Sequence, residues 1–156
     1  METITFEGME YHVLAYLVDI AGRVKEIDRI RERIAEIEND LGVHGIAYSG
    51  MPKSPNAYGH AVPDGVARLV EQRERHADAL AANADEIDRA WSLCSPRISS
   101  NRQVLWLKYV QGMPWSKVAA ALHVSERHVY RMRVDGITEL YGRMPERWRV
   151  NSHDAV

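Results

Sequence analysis

Trp115 to Arg133 reads W-S-K-V-A-A-A-L-H-V-S-E-R-H-V-Y-R-M-R, and the order of residue types in it decides the fold. Val118 and Leu122 stand four apart on one helical face, and Ala119 beside them is small enough to let a second helix cross closely. His123 falls where the chain must leave that helix with a positive φ, a conformation glycine adopts freely and His tolerates better than most residues. Ser125 then offers its hydroxyl to an orphan backbone N–H and starts the next helix. In that helix Val129 and Met132 are three apart and face inward, which turns Glu126, Arg127, Tyr130, Arg131 and Arg133 elsewhere. Two short helices joined by a three-residue bend, the second studded with Arg, His and Tyr, form the helix-turn-helix arrangement that presents side chains to a DNA major groove.

An apolar helix precedes the motif, R-Q-V-L-W-L-K-Y-V from Arg102 to Val110, and ends at Gly112. Trp106, Val110, Trp115, Val118, Leu122, Val129, Met132 and Ile137 are the expected core of this small bundle. On the second helix of the motif, Arg127 and Arg131 lie one turn apart, each able to reach a guanine O6 and N7. Glu126 can accept from a cytosine N4, and Tyr130 can meet a base edge or a thymine methyl. Ser116, Lys117, His128 and Arg133 are placed for phosphates, which orient such a module without reading sequence.

The first half of the chain follows a different rule. From Glu10 to Leu41 the apolar positions Val13, Leu17, Ile20, Val24 and Ile27 alternate four and three apart, skip three to Ile30, and resume at Ile34, Ile37 and Leu41. That is a heptad seam with one stammer. Gly42 is the expected C-cap. After Pro63 and Asp64 a second seam follows, Val66, Val70, Arg73, Ala77, Leu80, Ala84, Ile87, Trp91 and Cys94, until Ser95-Pro96 disfavours further helix. The expected fold is all-α: a long antiparallel, coiled-coil-like hairpin over residues 1–95 with a loop at 42–63, a helix-turn-helix bundle at 96–142, and a basic tail at 143–156 that frays. A single two-helix layer buries little, so a homodimer through the hairpin is expected first, and docking of the C-terminal domain along the hairpin second. The loop carries Lys53, Tyr48 and Tyr58 in no recognisable constellation and reads first as a linker.

With these residues in view, Arg102 to Tyr141 resembles region 4 of sigma-70-type factors. Its V-A-A-A-L-H-V-S-E-R-H-V-Y-R-M segment matches the frame I-A-x-x-L-G-(I/V)-S-x-x-x-V-x-x-(I/L). Over residues 10–142 the chain is also similar to phage and prophage transcriptional regulators of the RinA and ArpU type. The features that carry this are Tyr16-Leu17 in the first helix, G-M-P-K-S at Gly50 to Ser54, the second long helix, and L-K-Y-V-Q-G-M-P-W-S-K-V-A at Leu107 to Ala119. The resemblance implies a sequence-specific regulator in the cytoplasm of a bacterial host that binds double-stranded DNA and acts with RNA polymerase, activating late or packaging genes. Two departures stand out. Pro114 replaces the usual Ser or Thr cap, and Glu126 with Arg127 does not reproduce the usual sigma pair, so the resemblance carries no particular promoter element. Two alternatives remain: a phage terminase small subunit-like packaging protein, and a coiled-coil scaffold that never touches DNA.

Charge divides the chain where the motifs do. Residues 1–95 hold 10 basic and 17 acidic side chains, a net −7, while residues 96–156 hold 10 basic and 5 acidic, a net +5. Affinity for nucleic acid rests largely on cations displacing counterions, so the basic half is the expected DNA side. No apolar run reaches a bilayer-spanning length and the first residues lack a basic signal head, so no membrane is expected. The one cysteine, Cys94, reads as a small core residue. None of the histidines, among them His44, His60, His76, His123 and His128, pairs with Cys or carboxylate at ligand spacing, and no phosphate loop or nucleophile elbow is present. No enzyme, metal or cofactor is expected.

Overall fold

The computed structural model describes residues 4–49 and 64–149, with side chains described for 4–42 and 64–149. Among the described residues every regular element is helical.

Helix α1 spans Phe6–Ser49. It begins where the Thr5 hydroxyl accepts the Gly8 N–H at 3.1 Å. Its inner face is the expected seam: Val13, Leu17, Ile20, Ile27, Ile30 and Ile37 are buried, with Val24, Ile34 and Leu41 half-buried between them. Gly42 does not end the helix, which runs on through seven residues assigned to the loop. Glycine inside a helix costs only about 1 kcal/mol relative to alanine, too little to stop a long helix by itself. The rest of the expected loop, residues 50–63 with Lys53 and Tyr58, lies outside the described residues, as does the side chain of Tyr48.

Helix α2, Asp64–Cys94, follows. Here the structure revises the seam. Val66, Val70, Arg73, Leu80, Ala84, Ile87 and Cys94 are buried or half-buried as expected, but Ala77 and Trp91 are exposed, and the inner positions beside them belong to His76 and Ala90. One helical step is about 100°, so choosing the more apolar or bulkier of two neighbours misplaces the position by that angle. Small Ala90 lets α2 approach α1, and the bulky Trp91 packs its ring edge-on against Trp106 instead, at 5.1 Å.

The chain packs as two units, residues 4–24 with 85–149 and residues 25–84. In the second, Arg33 of α1 reaches Gln72 of α2 at 3.4 Å. In the first, Val13, Leu17 and Ile20 of α1 share a core with Ala90 and Cys94 of α2. The two long helices therefore pack antiparallel as a hairpin.

In the first unit three further helices join the ends of the hairpin. Helix α3, Ser100–Leu105, starts where Ser99 accepts the Arg102 N–H at 3.3 Å and passes directly into a π-helical turn, Trp106–Val110. Helix α4 covers Trp115–Leu122 and α5 covers Glu126–Tyr141. One core joins Val13, Tyr16, Leu17, Ile20, Ala90 and Cys94 to Leu105, Trp106, Ile137, Leu140 and Met144; a smaller one joins Val104, Val118, Ala119, Val129 and Met132. All eight residues expected in the bundle core are buried or half-buried.

The expected division at 95/96 falls inside this unit, because α5 and the segment after it pack on the hairpin's ends. Residues 143–149, expected to fray, are folded: Met144 is fully buried, Trp148 lies 5.7 Å from the Tyr16 ring, and Arg147 pairs with Glu86 at 2.8 Å. Burial pushes the Tyr16 hydroxyl up to about 12, and does the same to the Cys94 thiol.

Where α5 crosses α3, Gly136 is required. A Cβ there would lie 2.5 Å from the Asn101 carbonyl oxygen. Beside this contact the Glu139 carboxylate accepts from Ser99 Oγ and Asn101 Nδ2, both at 2.8 Å, and stands 3.5 Å from the buried Arg102 guanidinium. Burial raises the Glu139 carboxyl, but the hydrogen bonds from Asn101 and Ser99 and the charges of Arg102 and Arg143 outweigh it and hold it below its ordinary value.

Candidate nucleic-acid interface

The bend between α4 and α5 is built as its residues dictate. His123 takes the left-handed conformation, φ 57° and ψ 40°, and its N–H closes α4 on the Ala119 and Ala120 carbonyls. Among the described residues it alone of the non-glycines has a positive φ, a small cost that histidine bears. Ser125 then caps α5, its Oγ accepting the His128 N–H at 3.1 Å. Val118 and Ala119 on α4 and Val129 and Met132 on α5 bury together, which fixes the helices face to face. At the start of α4, Pro114 occupies the cap position without a side-chain cap, and the Lys117 and Val118 N–H groups reach its carbonyl at 3.0 and 3.1 Å.

With the inner face of α5 filled, Glu126, Arg127, His128, Tyr130 and Arg131 are exposed. Arg127, Tyr130 and Arg131 stand at spacings of three and four and so share one face. Ser116 and Lys117 are exposed at the start of α4. Among the described residues Arg127, Arg131 and Lys117 form no ion pair. These cations remain available to an anionic partner.

Arg133, grouped with the phosphate contacts, is placed differently. It is half-buried, its Nε donating to Tyr109 Oη at 2.7 Å and its Nη1 lying 3.3 Å from a Glu10 carboxylate oxygen. Burial disfavours its charge, yet the hydrogen bonds and charges of Tyr109 and Glu10 hold the guanidinium above its ordinary pKa. Two intramolecular partners thus hold the cation that the sequence assigned to DNA.

The structure also brings together residues that sequence spacing did not. Trp115 lies with its ring 5.2 Å from Tyr130, 6.2 Å from Tyr109 and 5.0 Å from Lys108 Nζ. Tyr130 is thereby tethered on one side while remaining 48 % exposed. Lys108 and Tyr109 come from the π-helical turn, Trp115 from the first residue of α4 and Tyr130 from α5. No periodicity connects three separate elements, so the sequence carried no signal for this cluster.

Among the described residues no group of three or more His, Cys, Asp or Glu could hold a metal ion, and no helix is long and apolar enough to cross a membrane. Compared with protein-family models, curated proteins and solved structures, the chain matches none.

Proposed function

We propose that the protein is a sequence-specific, double-stranded-DNA-binding transcription regulator of the phage type, acting as a homodimer with host RNA polymerase. One observation carries the reading: a helix-turn-helix whose bend is set by left-handed His123 and by the Ser125 cap, with Glu126, Arg127, Tyr130 and Arg131 exposed on its second helix. A helix so presented enters the major groove with its first turns at the base edges. Arg127 and Arg131 read guanines, Glu126 a cytosine, and Tyr130 a base edge or thymine methyl, while Ser116, Lys117 and His128 meet phosphates. The net +5 of residues 96–156 supports the same side of the molecule.

Selection of duplexes from a random pool by the purified protein tests this reading. A recovered consensus supports it, and an unenriched pool removes it. On the recovered site Arg131→Ala should cost about 1 to 3 kcal/mol of discrimination, whereas Lys117→Ala should weaken binding to every duplex and flatten the salt slope by about one. Equal losses on specific and random DNA for both variants would overturn the division into readers and anchors. The mass in solution separates a dimeric regulator from a ring-forming packaging protein.

A further inference from the structure

We infer that Glu10, Arg133, Tyr109 and Trp115 form a positioning relay that fixes the Tyr130 ring for base contact, so that Arg133 serves specificity through Tyr109 and not affinity through phosphate. The inference rests on the DNA-binding reading and assigns these residues a part in target choice.

Each link has a physical basis. The Glu10 carboxylate lies 3.3 Å from Arg133 Nη1, and the Arg133 Nε–H is spent on Tyr109 Oη at 2.7 Å. A guanidinium held at two points has little freedom, and a charge-assisted hydrogen bond of this length is among the stronger polar contacts. It fixes the Tyr109 hydroxyl at the far end of the ring, and the same guanidinium lies over the ring face, 5.8 Å from its centroid, which restrains the ring plane. That ring stands edge-on to Trp115, at 86° and 6.2 Å, within the favoured geometry of aromatic pairs. Lys108 Nζ sits 5.0 Å from the centroid of the same indole, adding a cation–π contact. Trp115 therefore has a set orientation before it meets Tyr130 at 5.2 Å, with 51° between the rings.

Tyr130 is the reader that most needs such help. Arg127 and Arg131 locate guanine through a fork of donors, whereas a tyrosine ring half in solvent has several rotamers and discriminates only in the one that meets its target. The order lost on binding is smaller when that rotamer is already held. With Nε and Nη1 engaged and the side chain only 18 % exposed, Arg133 can offer a phosphate only its remaining N–H donors, and turning the guanidinium toward one would pull it off Tyr109 and Glu10.

The test uses the full-length protein with Glu10→Gln, Tyr109→Phe, Arg133→Gln and Arg133→Lys, each checked for an unchanged helical circular dichroism spectrum. Two readouts are needed. In the DNA-free protein, the NMR signals of the Tyr130 ring should move in Glu10→Gln and Tyr109→Phe, the change passing through Trp115, whose ring lies between those of Tyr109 and Tyr130 in the relay. On DNA, these variants and Arg133→Gln should lose about fivefold in affinity for the selected site, little on a random duplex, and nothing of the salt slope, with Arg133→Lys recovering part of the loss. The double variant Glu10→Gln, Arg133→Gln should be no worse than Arg133→Gln alone. Unmoved Tyr130 signals overturn the relay whether or not the protein binds DNA. Equal losses of Arg133→Gln on both duplexes with a slope reduced by about one overturn it in favour of a phosphate contact. If the native protein prefers no duplex, the DNA reading fails, and moved Tyr130 signals would then uphold the relay as a packing device alone.

Discussion

Residues 25–84 and the unit formed by residues 4–24 with 85–149 bury the same long helix in different ways. In the latter, Val13, Tyr16, Leu17 and Ile20 of α1 are fully enclosed, because Ile137, Leu140 and Met144 close over the face that α2 leaves open. In the former, Ile27, Ile30 and Ile37 are buried, but no residue of α2 before Ala90 is. Two helices alone shield one seam between them. A third layer is what encloses both helices of the pair in a core. The difference teaches that heptad patterning sets which face turns inward, and that the elements stacked on the pair set whether the partner helix is buried with it.

The sharpest way to break this comparison is a pair of truncations at equally buried sites. Leu17→Ala, where several elements meet and cannot all collapse, should cost about 3 to 5 kcal/mol, and Ile37→Ala in the two-helix layer nearer 2, read from urea unfolding. Equal costs would mean that the layering is energetically idle. Next comes Gly136→Ala, whose new Cβ meets backbone at the α3–α5 crossing; a loss of about 1 to 3 kcal/mol is expected, and a neutral result would show that the crossing is loose. Ser125→Ala should cost about 1 kcal/mol by orphaning the His128 N–H, with a matching drop in melting temperature as the check.

The smallest effect concerns acid. The folded Glu139 carboxyl titrates below its ordinary value, so its stabilising share is complete above the unfolded carboxylate range and is lost as pH falls through the folded value. Glu139→Gln should therefore lose part of the decline in stability across that acid range, as seen in urea midpoints measured at a series of pH values. An identical acid profile in the variant would show that the carboxylate contributes nothing there.

Much of this was legible in the residues. The seam of α1, the left-handed His123, the Ser125 cap and the inward pair Val129 and Met132 each follow from a local rule acting over a few positions. What was not legible depends on contacts between distant segments. The inner face of α2 was misread at two positions, because Ala77 is more apolar than His76 and Trp91 bulkier than Ala90, and only the proximity of α1 decides between such neighbours. The burial of Met144 and Trp148 needed the surface of Tyr16 to pack on, some 130 positions earlier. In the candidate interface, exposure of Arg127, Tyr130 and Arg131 follows from helical spacing, whereas the capture of Arg133 by Glu10 and Tyr109 has no signature in either helix.

The π-helical turn at Trp106–Val110 closes its ring through the Gln111 N–H to the Trp106 carbonyl, five residues back. Such a turn holds one residue more than an α-helical turn and so shifts the phase of everything after it. Before it, Val104 faces the small core and Leu105 the large one; within it, Leu107 reaches the small core and Trp106, Tyr109 and Val110 the large one. The helix works as a gear with an extra tooth, meshing with two partners of incommensurate pitch. Removing Leu107 would restore a regular helix and spoil that mesh, since Lys108, Tyr109 and Val110 would swing by about 100° away from the indole and the arginine that the first two now meet.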